Sequence, residues 1–144
     1  MDTMKGKSYK ILIIDDEPET LRALELAFIN TDYRIKTCDD PFLAYRMIED
    51  QHFDVVISDI MMPGMDGLTL LKKIKDFNGM IQVIIISGDI SINNTIKAFR
   101  YGASDIFFKP FEDINEIIKA VDDTVQKINR VNQILSRLAK DKRS

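Results

Sequence analysis

The sequence predicts an α/β fold built on a parallel sheet, and three observations carry that prediction. Five short apolar runs, Tyr9 to Ile14, Tyr33 to Thr37, Phe53 to Ser58, Ile81 to Ile86 and Asp105 to Phe108, begin 24, 20, 28 and 24 residues apart. Segments with helical spacing lie between them, such as Leu21, Leu24, Phe28 and Leu68, Leu71, Ile74, so the chain reads as strand then helix five times over. The runs ILII, VVI and VIII are continuously apolar and rich in β-branched residues, the pattern of strands covered by helices on both faces.

Each element has a local reason. After the first strand, Asp16-Glu17-Pro18 supplies a capping carboxylate and a proline for the first helical turn. The second run is more polar and suits a sheet edge, and Asp40-Pro41 repeats the helix-opening signal. The third strand is followed by Pro63-Gly64 and Asp66-Gly67, a turn and then the start of the third helix. Beyond Phe111 the helical pattern begins at Glu112 and meets no glycine or proline before Ser144, so the last helix is expected to run to about residue 140.

Composition narrows the function classes. The 144 residues suit one domain, with residues 1–8 expected as a disordered leader, 9–125 as the body and 126–144 as a helical extension. Cys38 is the only cysteine and His52 the only histidine, which excludes an internal disulfide and a Cys-based zinc cage. His52, in a polar helix end, is expected to be exposed. The longest apolar stretch, Ile81 to Ile86, is interrupted by Gln82 and falls far short of the ~20 residues of a membrane span. The start, MDTMKGKSYK, has no apolar signal region, so a cytoplasmic protein is expected. Residues 1–125 carry 14 basic and 22 acidic groups, a net −8, while residues 126–144 carry six and one, a net +5. Leu, Ile and Val interleave the basic tail, which argues for a helix rather than a nucleic-acid arm.

In a parallel sheet the residues just after each strand gather at one edge, where α/β proteins place their ligands. Here the first run ends in Asp15, Asp16 and Glu17, the third in Ser58 and Asp59, the fourth in Ser87, Gly88 and Asp89, and the fifth in Lys109-Pro110. Clustered carboxylates repel one another unless a cation joins them, and an all-oxygen site open to water suits Mg²⁺. A metal beside a carboxylate and a lysine provides the parts for phosphoryl transfer, with the carboxylate as nucleophile. Taken singly each feature has a plainer reading: Asp15-Asp16 as a helix cap, Asp59 as a loop residue, Lys109 as an exposed ammonium at a strand end that matters little to the fold.

The segments ILIIDDEP, DVVISDIMMPGMDG, VIIISGD and DIFFKPF together resemble the four signatures of the receiver domain of bacterial two-component response regulators. The resemblance covers about residues 9–125 and implies a flavodoxin-like doubly wound sheet of five strands in the order 2-1-3-4-5, with an extended C-terminal helix. It implies Asp59 as phosphoacceptor for a histidine kinase. Asp16, Asp59 and the backbone carbonyl of Met61 would hold Mg²⁺, Asp15 would support it through water, and Ser87 and Lys109 would contact the phosphoryl group. Lys109-Pro110 is similar to the family's cis peptide.

Two alternatives are weaker. A haloacid-dehalogenase-type phosphatase, which also forms an aspartyl phosphate, needs a second carboxylate two residues after its nucleophile, where this chain has Met61. A flavodoxin-like cofactor binder would have its cofactor phosphate repelled by Asp15-Asp16-Glu17. Two departures from the receiver pattern stand out. Ile106 occupies the position of the family's usual switch aromatic, and the final helix is about fifteen to twenty residues longer than usual. Its apolar positions, Ile114, Ile117, Val121, Thr124, Ile128, Val131, Leu135 and Leu138, alternate by three and four. The first three are expected to pack on the sheet and the rest to offer a seam for homodimerisation through a coiled coil, or to lead to an output domain or target.

Overall fold

The computed structural model describes residues 8–88 and 91–143. The expected leader, save Ser8, and Asp89 of the fourth strand end lie outside the described residues. Strands and helices alternate: β1 (Lys10–Ile14), α1 (Pro18–Ala27), β2 (Arg34–Cys38), α2 (Pro41–Asp50), β3 (Val55–Asp59), α3 (Gly67–Phe77), β4 (Gln82–Ser87), α4 (Ile92–Arg100), β5 (Asp105–Phe108) and α5 (Asn115–Arg143). All four strand pairings are parallel, and the order is β2-β1-β3-β4-β5. This is the flavodoxin-like arrangement, and it makes β1 and β3 neighbours.

Side-chain alternation divides the core into two layers. Leu12, Ile14, Val56, Val83 and Ile85 face α2, α3 and α4, where Ala44, Ile48, Leu70, Leu71, Ile74 and Ala98 cover them. Ile11, Ile13, Val55, Ile57, Ile84 and Ile86 face the other way, under Leu24 and Phe28 of α1 and Ile117, Val121, Val125 and Ile128 of α5. On the edge strand β2, Arg34 and Lys36 are exposed, and charge at a sheet edge discourages pairing with another chain. Ile106 packs with the first layer and Phe107 with the second, as alternation requires.

The caps fit at α2 and α3, where Asp40 accepts the Phe42 amide at 2.9 Å and Asp66 the Thr69 amide at 2.8 Å. Ser91 caps α4 in the same way. At α1 the expectation fails, because Glu17 occupies the capping position without a side-chain cap bond.

Two expectations for the last helix change. It begins at Asn115 rather than Glu112, because the Asp113 carboxylate accepts the Asn115 amide at 3.0 Å and the Asp113 carbonyl accepts from Glu116. Its contact with the body also reaches further, since Val125 and Ile128 are buried beside Ile117 and Val121. The seam left over is therefore shorter, with Ile134, Leu135 and Leu138 exposed. No helix among the described residues is long and apolar enough to cross a membrane.

Candidate functional site

The site lies where the C-terminal ends of β1, β3, β4 and β5 meet. Asp15 follows β1 directly, and its amide still donates to the Cys38 carbonyl at 3.2 Å, so the β2 ladder carries it into the interior. Its Oδ1 accepts the Glu17 amide at 2.8 Å. Its Oδ2 is buried, with the Lys109 ammonium 2.7 Å away as its partner. Asp59 is the last residue of β3 and buried; its Oδ1 accepts the Met61 amide at 3.2 Å, and its Oδ2 accepts from Lys109 Nζ at 3.2 Å.

The ground under Asp59 is set by Gly67. A Cβ there would stand 2.1 Å from the Asp59 carbonyl oxygen and 2.6 Å from the Ile60 Cα. Only glycine lets α3 start this close to the strand end, where its amide donates to the Ile60 carbonyl at 2.6 Å.

Lys109 is held from the other side. The Ser87 carbonyl accepts its amide at 2.8 Å, Ser87 itself is buried, and the Lys109-Pro110 peptide is cis. The side chain is 15% exposed and bridges three carboxylates, at 2.7 Å to Asp15, 2.7 Å to Glu17 and 3.2 Å to Asp59. The exposed strand-end ammonium expected from sequence is thus a largely enclosed counter-ion. Its partners come from 92 and 50 residues away in the chain, which no local reading of DIFFKPF could supply.

Electrostatics follow from that enclosure. Burial pushes the Asp15 carboxyl up in spite of Lys109 and the Glu17 amide, with the Asp59 charge adding to the push. Burial alone would lower the Lys109 ammonium, but Asp15 and Glu17, with help from Asp59, hold it above its usual range. Lys109 in turn lowers the Glu17 carboxyl.

Among the described residues, Asp15, Glu17 and Asp59 present oxygens within 4.8 Å of one another. One ammonium faces three carboxylates, so the cluster keeps an excess of negative charge. All-oxygen donors, excess negative charge and an exposed Glu17 at the rim fit a hard divalent cation. Asp16, on the same loop, is exposed and is not part of that cluster. Glu17 was the residue missed; the signal was there in the run Asp15-Asp16-Glu17, hidden by its plausibility as a cap.

Met61 is exposed at the mouth, while Met62 is buried. His52 is exposed and pairs with Asp54 at 2.8 Å, outside the site. Cys38 is buried, its thiol donating to the Asp40 carbonyl at 3.3 Å.

Comparison with known proteins agrees with this geometry. The family profile of the response regulator receiver domain matches residues 11–122. The transcriptional regulatory protein ZraR of Klebsiella oxytoca is 32% identical over 109 residues, covering 76% of this chain and 25% of that protein. The DNA-binding transcriptional regulator NtrC of Escherichia coli (strain K12) is 32% identical over 123 residues, 85% of this chain and 26% of the regulator. The chain thus spans about a quarter of the length of these curated relatives. The signal receiver domain of an HD domain-containing protein from Pseudomonas fluorescens Pf-5 superposes with a TM-score of 0.82 at 25% identity, covering 86% of this chain and 99% of that one. With the strand order, the acidic cluster at the C-terminal sheet edge and these matches in agreement, the chain belongs to the response regulator receiver domain family.

Proposed function

We propose that this chain accepts a phosphoryl group on Asp59 from the phosphohistidine of a histidine kinase, in a Mg²⁺-dependent reaction, and passes the signal on by a change of conformation. The observation that carries the reading is the Lys109 ammonium 3.2 Å from Asp59 Oδ2 at the common end of β3 and β5. An oxygen of ionised Asp59 donates an electron pair to phosphorus. The P–N bond breaks, its electrons going to the imidazole nitrogen, which takes a proton from solvent. No general base is required, because the nucleophile is already ionised.

Lys109 neutralises a phosphoryl oxygen, and Ser87, buried at the end of β4, donates a hydrogen bond to the phosphoryl group. Mg²⁺ would be held by Asp16, Asp59 and the Met61 carbonyl, with Asp15 supporting it through water, and would supply electrostatic stabilisation of the charge that builds on the phosphoryl oxygens. Hydrolysis of the acyl phosphate is self-catalysed, and the apolar Met61 side chain at the mouth cannot orient the attacking water. Ile106 takes the place of a switch aromatic, so the relay runs without that ring.

The domain boundary and partners belong to the same proposal. A receiver body is followed by a helical extension that pairs with a second copy or leads to an output domain or target, in the cytoplasm and with no direct nucleic-acid contact from this segment. The phosphatase alternative lacks the carboxylate at Met61, and the cofactor alternative meets the acidic rim. Incubation with acetyl phosphate and Mg²⁺ tests the reading: intact mass should rise by one phosphoryl group in the wild type and stay unchanged in Asp59→Asn. Full modification of Asp59→Asn would overturn it.

A further inference from the structure

We infer that Glu17 is an internal counter-ion that holds Lys109 in the unphosphorylated protein and gives it up when the phosphoryl group arrives, and so sets how readily Asp59 is phosphorylated. This rests on the reading of Asp59 as phosphoacceptor. Glu17 sits at the N-cap of α1 with extended backbone, φ −92° and ψ 114°, where the shorter side chains of Ser, Thr, Asp or Asn ordinarily accept an amide of the first turn. It makes no such bond. Its Oε1 instead accepts from Lys109 Nζ at 2.7 Å, a shorter contact than the 3.2 Å to Asp59.

The backbone explains the reach. The Glu17 amide is anchored on Asp15 Oδ1 and Pro18 follows at once, so the root of the side chain is fixed beside the carboxylate that Lys109 also contacts. The three partners differ in their freedom to leave. Asp15 and Asp59 are 0% and 4% exposed in their side chains and rooted at strand ends, whereas Glu17 is 56% exposed on a longer side chain. An ammonium has three hydrogens to offer, and three carboxylates face them here. A phosphoryl oxygen entering beside Asp59 needs one of those positions, and Glu17 can vacate it by rotating into solvent without disturbing the core.

Exposed ion pairs are weak, so the effect is modest: loss of the competing contact should raise phosphorylation about 1.4- to 5-fold. General repulsion of an anionic donor by Glu17 would act in the same direction but would not depend on Lys109, and this separates the two causes.

The test uses the full chain, acetyl phosphate as donor, saturating Mg²⁺ and fixed ionic strength, with initial rates read from intact mass for wild type, Glu17→Gln, Lys109→Ala and the double variant. Glu17→Gln should be faster by the stated factor when Lys109 is present and give no gain when Lys109 is alanine. An equal gain in both backgrounds, or none in either, would overturn the inference. A second measurement needs no donor: acetylation of the Lys109 amine by acetic anhydride, followed by peptide mass, should be faster in Glu17→Gln, and an unchanged rate would contradict the pairing. If wild type gains no phosphoryl group at all, the phosphoacceptor reading fails, while amine labelling still decides whether Glu17 holds Lys109.

Discussion

Gly67→Ala sets two physical effects against each other with opposite signs. Helix propensity favours alanine over glycine by up to ~1 kcal/mol, so on that ground alone the variant should be more stable. The structure says otherwise. An added Cβ would lie 2.1 Å from the Asp59 carbonyl oxygen, 2.6 Å from the Ile60 Cα and 2.9 Å from the Asp59 carbonyl carbon, all backbone atoms that cannot rotate away. Restoring an ordinary contact of 3.4 Å requires α3 to retreat by about 1.3 Å, yet Leu70, Leu71 and Ile74 lock that helix into the core. Overpacking of this kind costs ~3 kcal/mol, or about 12 °C in melting temperature for a domain of this size. Gly88→Ala, with nothing within 4 Å of its Cβ, serves as control and should leave stability close to wild type. Thermal unfolding followed by circular dichroism decides the matter. A Gly67→Ala variant that melts within 2 °C of wild type, or above it, would refute the close approach that places Asp59.

Lys109→Ala leaves Asp15 and Asp59 without their common cation, and should cost about 3 kcal/mol at pH 7, a loss that fades as pH falls through the raised Asp15 value; thermal melts at pH 7 and pH 4 check it. Asp15→Asn should raise the melting temperature at pH 7, because burial holds the Asp15 carboxyl above its ordinary value and its ionised form is a burden to the fold. That gain should shrink as pH drops through the raised value and vanish near the ordinary carboxylate range, where wild type is protonated too. Met61→Asn should alter the lifetime of the acyl phosphate, followed by mass over time, and leave Mg²⁺ affinity by calorimetry nearly unchanged, since only the Met61 carbonyl is proposed as a ligand. For the 29-residue α5, about 43 Å long, pairing through Ile134, Leu135 and Leu138 would bring two +5 tails together. Association in the analytical ultracentrifuge should therefore strengthen with salt and be lost in a chain ending at Arg130; equal association of both chains would contradict the seam.

Much of this molecule could be read without coordinates because its signals are local. Continuous apolar runs rich in β-branched residues, such as Ile11 to Ile14, mark buried parallel strands, and a parallel sheet obliges their ends to converge, which brings Asp15, Asp59 and Lys109 to one edge. What stayed hidden depends on distance in the chain. Lys109 reads as a surface charge until Asp15, Glu17 and Asp59 are folded around it. Glu17 looks like a cap because nothing in Asp16-Glu17-Pro18 says that its carboxylate has a better partner on β5. The reach of α5 is hidden for a related reason: the same three-and-four spacing serves Val125 and Ile128 in the core and Leu135 and Leu138 in solvent, and periodicity alone does not say where the body ends. Asp16 differs from Asp15 by one position, but Asp15 still bonds the Cys38 carbonyl as a strand residue does, whereas Asp16 stands on the loop beyond the strand end and is exposed.

The central claim is that Asp59 carries the acyl phosphate, and the most direct measurement maps that bond. After treatment with acetyl phosphate and Mg²⁺, borohydride reduces an aspartyl phosphate to homoserine, and peptide sequencing by mass spectrometry then locates the new residue. Homoserine at position 59 alone, absent when Mg²⁺ is chelated, is the predicted result. Homoserine at Asp15 or Asp16, or none at position 59, would contradict the account.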